Sequence, residues 1–525
     1  MKVRSVFLSA PTCDQASQLF PTSGYGSEVV GPTIPTTDEG YRAVFDRAGA
    51  LFSAAFRHAR RLGVLTATGT ELPLGLEPGD ASTEVGDDWV RGMPDELQAR
   101  LSSQGLDPKS PDVVQSIYRG IFERINRTHP LDYYWVWSYE IWSRGEEGGM
   151  AVSQAQIDAM KTDMGLALAA LDELGNPFQL AHAAWRLGTV DDPAAFDQSL
   201  PPEVPMFSLL GSAIGYDSLS AERVKWPGTW LEFDWGITQP QIATYRLHED
   251  AVAALSKGGT GLIAEQWRTT VMGSNINGLK DLVWARGSTG SPPSRDLPPD
   301  AGAWMGPMYE AWASRQFGPT VAARVGELFS GIDWDSIPQP VGWDGDGYES
   351  PGVILANAAC GEGSTTWPQL NASYSFVDTF ESLESEVVGT GNRARFSYWL
   401  KTMQGLRLIG EFGCVRGVFE AAMNSGSFAT ALEQRTALAR LFERIITLLI
   451  ERIVNVSDLG EIINHEIVTW KGRISKFDSA LATGLGYAIP AGAAPSLDYT
   501  GAPVLVVTTP RTHAYAGEAT LIRAR

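Results

Sequence analysis

Cysteine is scarce in this chain: three in 525 residues, at positions 13, 360 and 414. Residues so few and so scattered exclude a disulfide framework and a thiolate zinc set; at most one bridge can form, leaving one thiol over. No clustered His/Asp ligand set accompanies them, so neither a metal nor a cofactor is expected. Long apolar runs are also missing. The best, 445–456, is broken by Glu451 and Arg452 and falls short of the ~18–20 residues that span a bilayer, which argues against membrane insertion. Residues 1–10 (MKVRSVFLSA) are too short and too weakly patterned for a signal peptide. Basic residues are in deficit, 41 Lys+Arg against 61 Asp+Glu for a net charge of −20. A surface of that sign repels phosphate backbones, so nucleic acid and anionic membranes are not expected as partners. No G-x-G-x-x-G follows any strand-like run and no G-x-S-x-G elbow occurs, which removes support for dinucleotide binding and for acyl transfer by serine.

What the chain does have is apolar and aromatic mass. It is 44% hydrophobic and carries 17 Trp, enough to bury a large core. From residue 36 to about 270, amphipathic helical patterns alternate with short apolar runs. The first helix opens on the capping box Thr36-x-x-Glu39, stripes Val44, Ala48, Leu51 and Ala55, and stops at Gly63. Later helices start at Ser110-Pro111, at Ser153 and near Ile242. Strand-like runs lie at 3–8, 64–68, 132–137, 178–185, 206–210, 229–234 and 261–268. Such alternation predicts a parallel α/β architecture, and runs that end in polar and aromatic residues fit a barrel whose chemistry sits at the carboxyl-terminal strand ends. The doubly wound open sheet is the competing arrangement.

Residues 287–300 (GSTGSPPSRDLPPD) read as a linker. The expected organisation is a (β/α)8 barrel over 1–286, short of strands at its amino terminus, a mainly helical domain over 301–480 and a small β appendage over 481–525.

If 261–267 closes the barrel as strand eight, Glu232 ends strand seven, Glu140 strand four and Glu71 strand three. Carboxylates at the ends of strands four and seven face one another across a barrel mouth. Glycosidic bond cleavage needs such a pair, about 5–5.5 Å apart for retention of configuration and about 6.5–9.5 Å for inversion. Strands four and seven favour the shorter gap. Glu140 follows Tyr134, Trp135, Trp137 and Tyr139 and precedes Trp142. An aromatic surround raises a carboxyl pKa, as a general acid requires, and offers flat faces to sugar rings. Glu232 and Asp234 share one face of their strand by alternation. Glu265 reads as a hydrogen-bonded support, Arg268 as a partner for a carboxylate, and His182 as a satisfied core residue. A lyase acting on a uronic acid, recruiting Tyr139, His182 and Arg268, has no supporting spacing.

The run 128–140 (THPLDYYWVWSYE) resembles a segment of a family of large glycoside-hydrolase-like (β/α)8 proteins of bacteria and some algae, often associated with malectin-type domains. Further similar stretches are 63–73 (GVLTATGTELP), 230–234 (WLEFD), 259–269 (GTGLIAEQWRT), 398–400 (YWL) and 499–511 (YTGAPVLVVTTPR). The resemblance implies a sugar-acting barrel with a helical domain behind it and a β tail, set outside the cell or in the secretory pathway. It carries over Glu71, Glu140, Glu232 and Asp234 as active-site acids. Gln266 stands where relatives carry His, Tyr139 where the retaining clan usually has Asn, and relatives have substantial sequence ahead of residue 15.

Two functions are therefore expected. The first is a glycoside hydrolase of the two-carboxylate retaining type acting on a polysaccharide or glycoconjugate. Glu140 is its acid/base, Glu232 its nucleophile and Asp234 a neighbouring acid. Glu71, Tyr134, Trp137, Trp142, Trp185, Gln266, Trp267 and Arg268 bind the sugar. The alternative is a non-catalytic structural or glycan-binding subunit with a degenerate barrel, completed by a protein partner.

Overall fold

In the computed structural model, seven strands hydrogen-bond in the order in which the chain makes them: β1 (Ser5–Phe7), β2 (Leu65–Leu72), β3 (Tyr133–Ser138), β4 (Gln179–Ala184), β5 (Met206–Ser208), β6 (Lys225–Trp230) and β7 (Ile263–Glu265). Every neighbouring pair is parallel. The structure describes residues 5–7, 38–72, 74, 95–138, 154–184, 186–189, 192–208, 213–231, 242–265, 270–283, 301–333, 360, 366–454, 458, 462, 465–496, 507–508 and 523–524.

Strand order without a reversal excludes the doubly wound sheet, whose order turns back on itself at a switch point. Successive right-handed crossovers that all advance one way put every helix on the same face. The helices between strands are α1 (Asp38–Arg61), α2 (Asp95–Ser103), α3 (Pro111–Thr128), α4 (Gln154–Glu173) and α5 (Thr244–Ser256), and α6 (Gly273–Val283) follows β7. Helix α3 starts as its sequence dictates: the Ser110 hydroxyl accepts from the amide of Val113 at 3.4 Å, with proline in the first turn.

The sheet is strongly curled. The rings of Tyr133 on β3 and Trp226 on β6 meet at 5.0 Å between centroids, although two strands separate them in the order. Three steps across a flat sheet would hold such residues roughly 14 Å apart, so the inner face closes on itself. The closed eight-stranded (β/α)8 barrel expected from the sequence is nevertheless corrected: the sheet has seven strands, and no pairing joins β7 to β1 among the described residues. Ahead of β2 the described chain supplies one strand of three residues, whereas an eight-stranded cylinder requires a further strand between β7 and β1. Glu71 consequently lies in the second strand, and Glu140 and Glu232 follow the third and sixth.

Alternation divides the strands cleanly. Tyr134, Val136, Leu180 and Met206 join Tyr118, Phe122, Met164 and Leu171 in the core between sheet and helices. Ala67, Trp135, Ala181, Ala183, Phe207, Trp230 and Ile263 form the core of the inner face. A third core starts at Leu231, passes through α5 and α6, and runs on into α7 (Ala301–Phe317), α8 (Pro319–Asp333), α9 (Trp367–Asn371), α10 (Ser375–Ser382) and the first half of α11 (Thr390–Asn424). Aromatic stacking holds it: Phe380 lies flat on Phe396 at 4.3 Å, and Trp312 meets Phe317 and Trp399 edge-on at 5.4 Å. The second half of α11 packs along α12 (Phe428–Glu451), which also meets α13 (Asp478–Leu485). Cys360 and Cys414 are the cysteines that pair, joining residue 360 to the middle of α11. A two-stranded antiparallel ribbon, Val507–Thr508 with Arg523–Ala524, lies near the end of the chain. No helix among the described residues is long and apolar enough to cross a membrane.

Candidate functional site

The inner face is filled with aromatic rings in tiers. At the amino-terminal end of the strands Tyr133 packs edge-on against Trp226. Above them Trp135 meets Phe207 at 5.3 Å and Trp226 at 6.1 Å, and Trp137 meets Phe207 at 6.0 Å. The middle tier is sealed, with Trp135 and Phe207 each 1% exposed. Trp137, toward the carboxyl-terminal end, is half-buried and still has surface to offer.

Glycine makes room for this stack. Gly69 on β2 is in register with Trp135, and a Cβ there would fall 2.3 Å from the Trp135 Cβ and 2.5 Å from its carbonyl oxygen. Only hydrogen fits at that place. Gly261, ahead of β7, has the same relation to Trp226, whose ring would meet an added Cβ at 2.6 Å.

Acidic residues occur where the strands end. Glu71 on β2 is in register with Trp137. Glu265 closes β7 in register with Trp230, half-buried, and its carbonyl accepts the amide of Leu231 at 2.9 Å. Residue 265 shares its strand phase with Ile263 of the inner-face core, so its carboxylate belongs to the same side of the sheet as the aromatic stack. Sequence reading treats this residue as a support; its phase relative to Ile263 is the signal that sets it on the inner side. The Arg246 guanidinium donates to the Trp230 carbonyl at 2.7 Å and so holds the end of β6.

Buried polar anchors fix the other strand ends from behind. Asp163 on α4 accepts the amide of Leu74 at 2.7 Å and the hydroxyl of Tyr118 at 2.9 Å, pinning the chain just past β2. Burial pushes the Asp163 carboxyl above its ordinary pKa, against the pull of those two donors. On the helix side of β3 and β4, Ser138 Oγ lies 2.7 Å from His182 Nε2. Burial, reinforced by the nearby positive charge of Arg223, depresses the His182 pKa to about 3. Arg223 is itself buried, donating to Asp197 at 2.8 Å and to the carbonyls of Leu200 and Val204 at 2.8 and 2.9 Å. Thr229 donates to Asp250 at 2.5 Å, tying β6 to α5.

Of the residues expected to form the site, Trp137 is on the inner face. Tyr134 is on the outer face, fully buried against Phe122 and Phe178, with its hydroxyl donating to Thr70 at 3.0 Å. The strand phase was the available signal, since 133, 135 and 137 alternate with 134, 136 and 138. Glu140, Trp142, Trp185, Glu232, Asp234, Gln266, Trp267 and Arg268 lie outside the described residues. Trp226, Tyr133 and Phe207, which build most of the stack, are not among the residues that the sequence pattern singles out. Among the described residues no group of three or more His, Cys, Asp or Glu side chains could hold a metal ion.

No family model matches the chain, and no curated protein matches it. Among solved structures, a GH138 enzyme targeting pectin rhamnogalacturonan II aligns over 85% of this chain and 73% of its own, at 10% identity and a TM-score of 0.41. A likeness that loose carries no argument about this chain.

Proposed function

We propose that the chain is a glycoside hydrolase, working at the carboxyl-terminal end of the curled sheet. The observation that supports this reading most is the inner-face stack, whose last exposed ring, Trp137, is on a strand in register with Glu71, while Glu265 ends β7 on the same side of the sheet. Flat aromatic faces take the apolar side of a pyranose, and a pair of carboxyl groups supplies both a proton and a nucleophile for an acetal. Two of the acids are carried on described strands, Glu71 and Glu265; Glu140 and Glu232 each come two residues after a strand, Ser138 ending β3 and Trp230 ending β6.

In this proposal Glu140 protonates the departing glycosidic oxygen. Glu232 attacks the anomeric carbon to give a glycosyl-enzyme, and Glu140 then takes a proton from the water that releases the sugar. Asp234 and Glu265 accept from sugar hydroxyls, and Trp137 carries a ring of the substrate. Trp142, Trp185, Gln266, Trp267 and Arg268 are assigned to neighbouring subsites by their places just beyond the strands.

The test is turnover of a panel of aryl glycosides and polysaccharides by the full chain and by Glu140→Gln and Glu232→Gln. Each substitution is expected to lower kcat by about 10³-fold or more with an unchanged circular dichroism spectrum. Unaltered kcat in either variant removes that residue from the mechanism. Saturable glycan binding with no turnover by the parent chain replaces hydrolysis with the glycan-binding reading.

A further inference from the structure

Helices α11 and α12 lie side by side, joined by the short connection 425–427, and a cleft of about 410 Å³ opens between them. Leu408 and Leu448 supply its apolar lining, and Gln404, Arg407, Glu443, Arg444 and Thr447 its polar lining. The volume is that of a small-molecule pocket, and one guanidinium stands on each helix.

The charges in the cleft are unevenly committed. Glu443 is fully engaged: it accepts from Arg440 at 2.6 and 2.8 Å and from the amide of Ser496 at 2.6 Å. Arg407 gives one N–H to Asp378 at 2.7 Å, and that carboxylate is 69% exposed. Arg444 is 62% exposed and reaches Glu411 only at 3.9 Å. The Arg444 pair, long and exposed on the arginine side, contributes little. Arg407 keeps further N–H groups beyond the one given to Asp378, and a planar carboxylate meets a guanidinium through two parallel N–H···O bonds. The Thr447 hydroxyl donates to the Glu443 carbonyl at 2.8 Å, which leaves its oxygen to accept a ligand hydroxyl.

We propose that this cleft is a ligand site for a small polyhydroxylated carboxylate, of the size and chemistry of a hexuronate. Arg407 and Arg444 receive the carboxylate, Gln404 and Thr447 meet hydroxyls, and the two leucines lie under the apolar face of the ring. A phosphate dianion fits less well, because the carboxylate of Glu443 stands in the lining and repels a second negative charge. The site owes nothing to the carboxylates of the sheet, so its occupancy is independent of whether the chain hydrolyses glycosides.

Calorimetric titration of the full chain with sodium D-glucuronate tests the proposal, run beside D-glucose and inorganic phosphate. Glucuronate is expected to bind saturably and more tightly than either, with affinity falling as salt rises. Arg444→Ala and Arg407→Ala are each expected to weaken it about tenfold or more, and Arg444→Lys to restore part of the loss. Arg444 is largely exposed, so its variant keeps the fold even if that of Arg407 does not. Absence of saturable glucuronate binding overturns the proposal. So does binding that the Arg444→Ala chain retains in full, or glucose or phosphate binding as tightly as glucuronate.

Discussion

Asp333, the last residue of α8, caps a helix that is not its own: its Oδ2 accepts the backbone amides of Thr244 and Tyr245, the first two residues of α5, at 2.8 and 3.1 Å. The Thr244 hydroxyl at 2.5 Å and the Tyr309 hydroxyl at 2.7 Å donate to the same oxygen. Amides at the start of a helix have no partner within it, and a carboxylate also opposes the positive end of the helix dipole. The cap joins the crossover helix behind β6 to the helices that follow residue 300. The two regions also share one apolar core that runs from Leu231 to Leu406.

Removing this cap is expected to loosen both regions together. Asp333→Ala should lower the free energy of unfolding by about 2–4 kcal/mol, from loss of the cap and from the buried Tyr309 hydroxyl left without its acceptor. Asp333→Asn retains an acceptor oxygen and should cost clearly less. Urea unfolding followed separately by tryptophan fluorescence and by circular dichroism checks this. Equal midpoints for Asp333→Ala and the parent chain would show that the cap contributes nothing.

Gly69 offers a second test, of the aromatic stack itself. A methyl group at this position meets both the side chain and the backbone of Trp135, and backbone cannot move aside without parting β2 from β3. Gly69→Ala is expected to destabilise by roughly 1–3 kcal/mol, in the range of overpacked cores. Gly120, within α3, has nothing within 4 Å of an added Cβ. There the same substitution should stabilise by about 0.5–1 kcal/mol, since alanine is the better helix former. The contrast, measured as denaturant midpoints, isolates the packing requirement. A Gly69→Ala chain as stable as its parent would mean that Trp135 does not occupy the place assigned to it.

Much of the sheet is legible in the sequence because its strands are short apolar runs between well-marked helices. The run at 132–137 and the strand at Tyr133–Ser138 agree within one residue at each end, and 178–185 encloses Gln179–Ala184. Strand count is harder to read. Numbering backwards from an eighth strand presupposes closure, and closure depends on pairing between distant segments that local pattern does not encode. The same limit applies to the inner face. Alternation separates Tyr134 from Trp135, but which phase faces inward depends on helices more than ten residues away, such as Phe122 on α3 and Met164 on α4. Trp226 illustrates the difficulty best. Its contact with Tyr133 exists only because the sheet curls, and nothing near residue 226 announces that.

The pairing of Ser138 with His182 leads to a prediction about acid. The imidazole is fully buried, and its Nδ1 has no hydrogen-bond partner among the described residues, while Arg223 opposes a second positive charge nearby. In the folded chain it therefore stays neutral down to about pH 3, whereas in the unfolded chain it takes a proton near its ordinary value of about 6.5. Between those limits the unfolded state binds the additional proton, so stability is full above about pH 6.5 and is lost as pH falls. Many carboxylates titrate over the lower part of this window, so the informative quantity is a difference. The stability advantage of the parent chain over His182→Gln should be constant from pH 7 to 9. It should shrink by up to about 2 kcal/mol between pH 6.5 and pH 5, at about 1.4 kcal/mol for each pH unit. Glutamine does not titrate and still reaches toward Ser138, so any constant offset reports packing, while the slope reports the proton. A difference that does not change with pH would mean that water or an acid partner reaches His182 in the folded protein, and that the back of β3 and β4 is not the sealed anchor described for it.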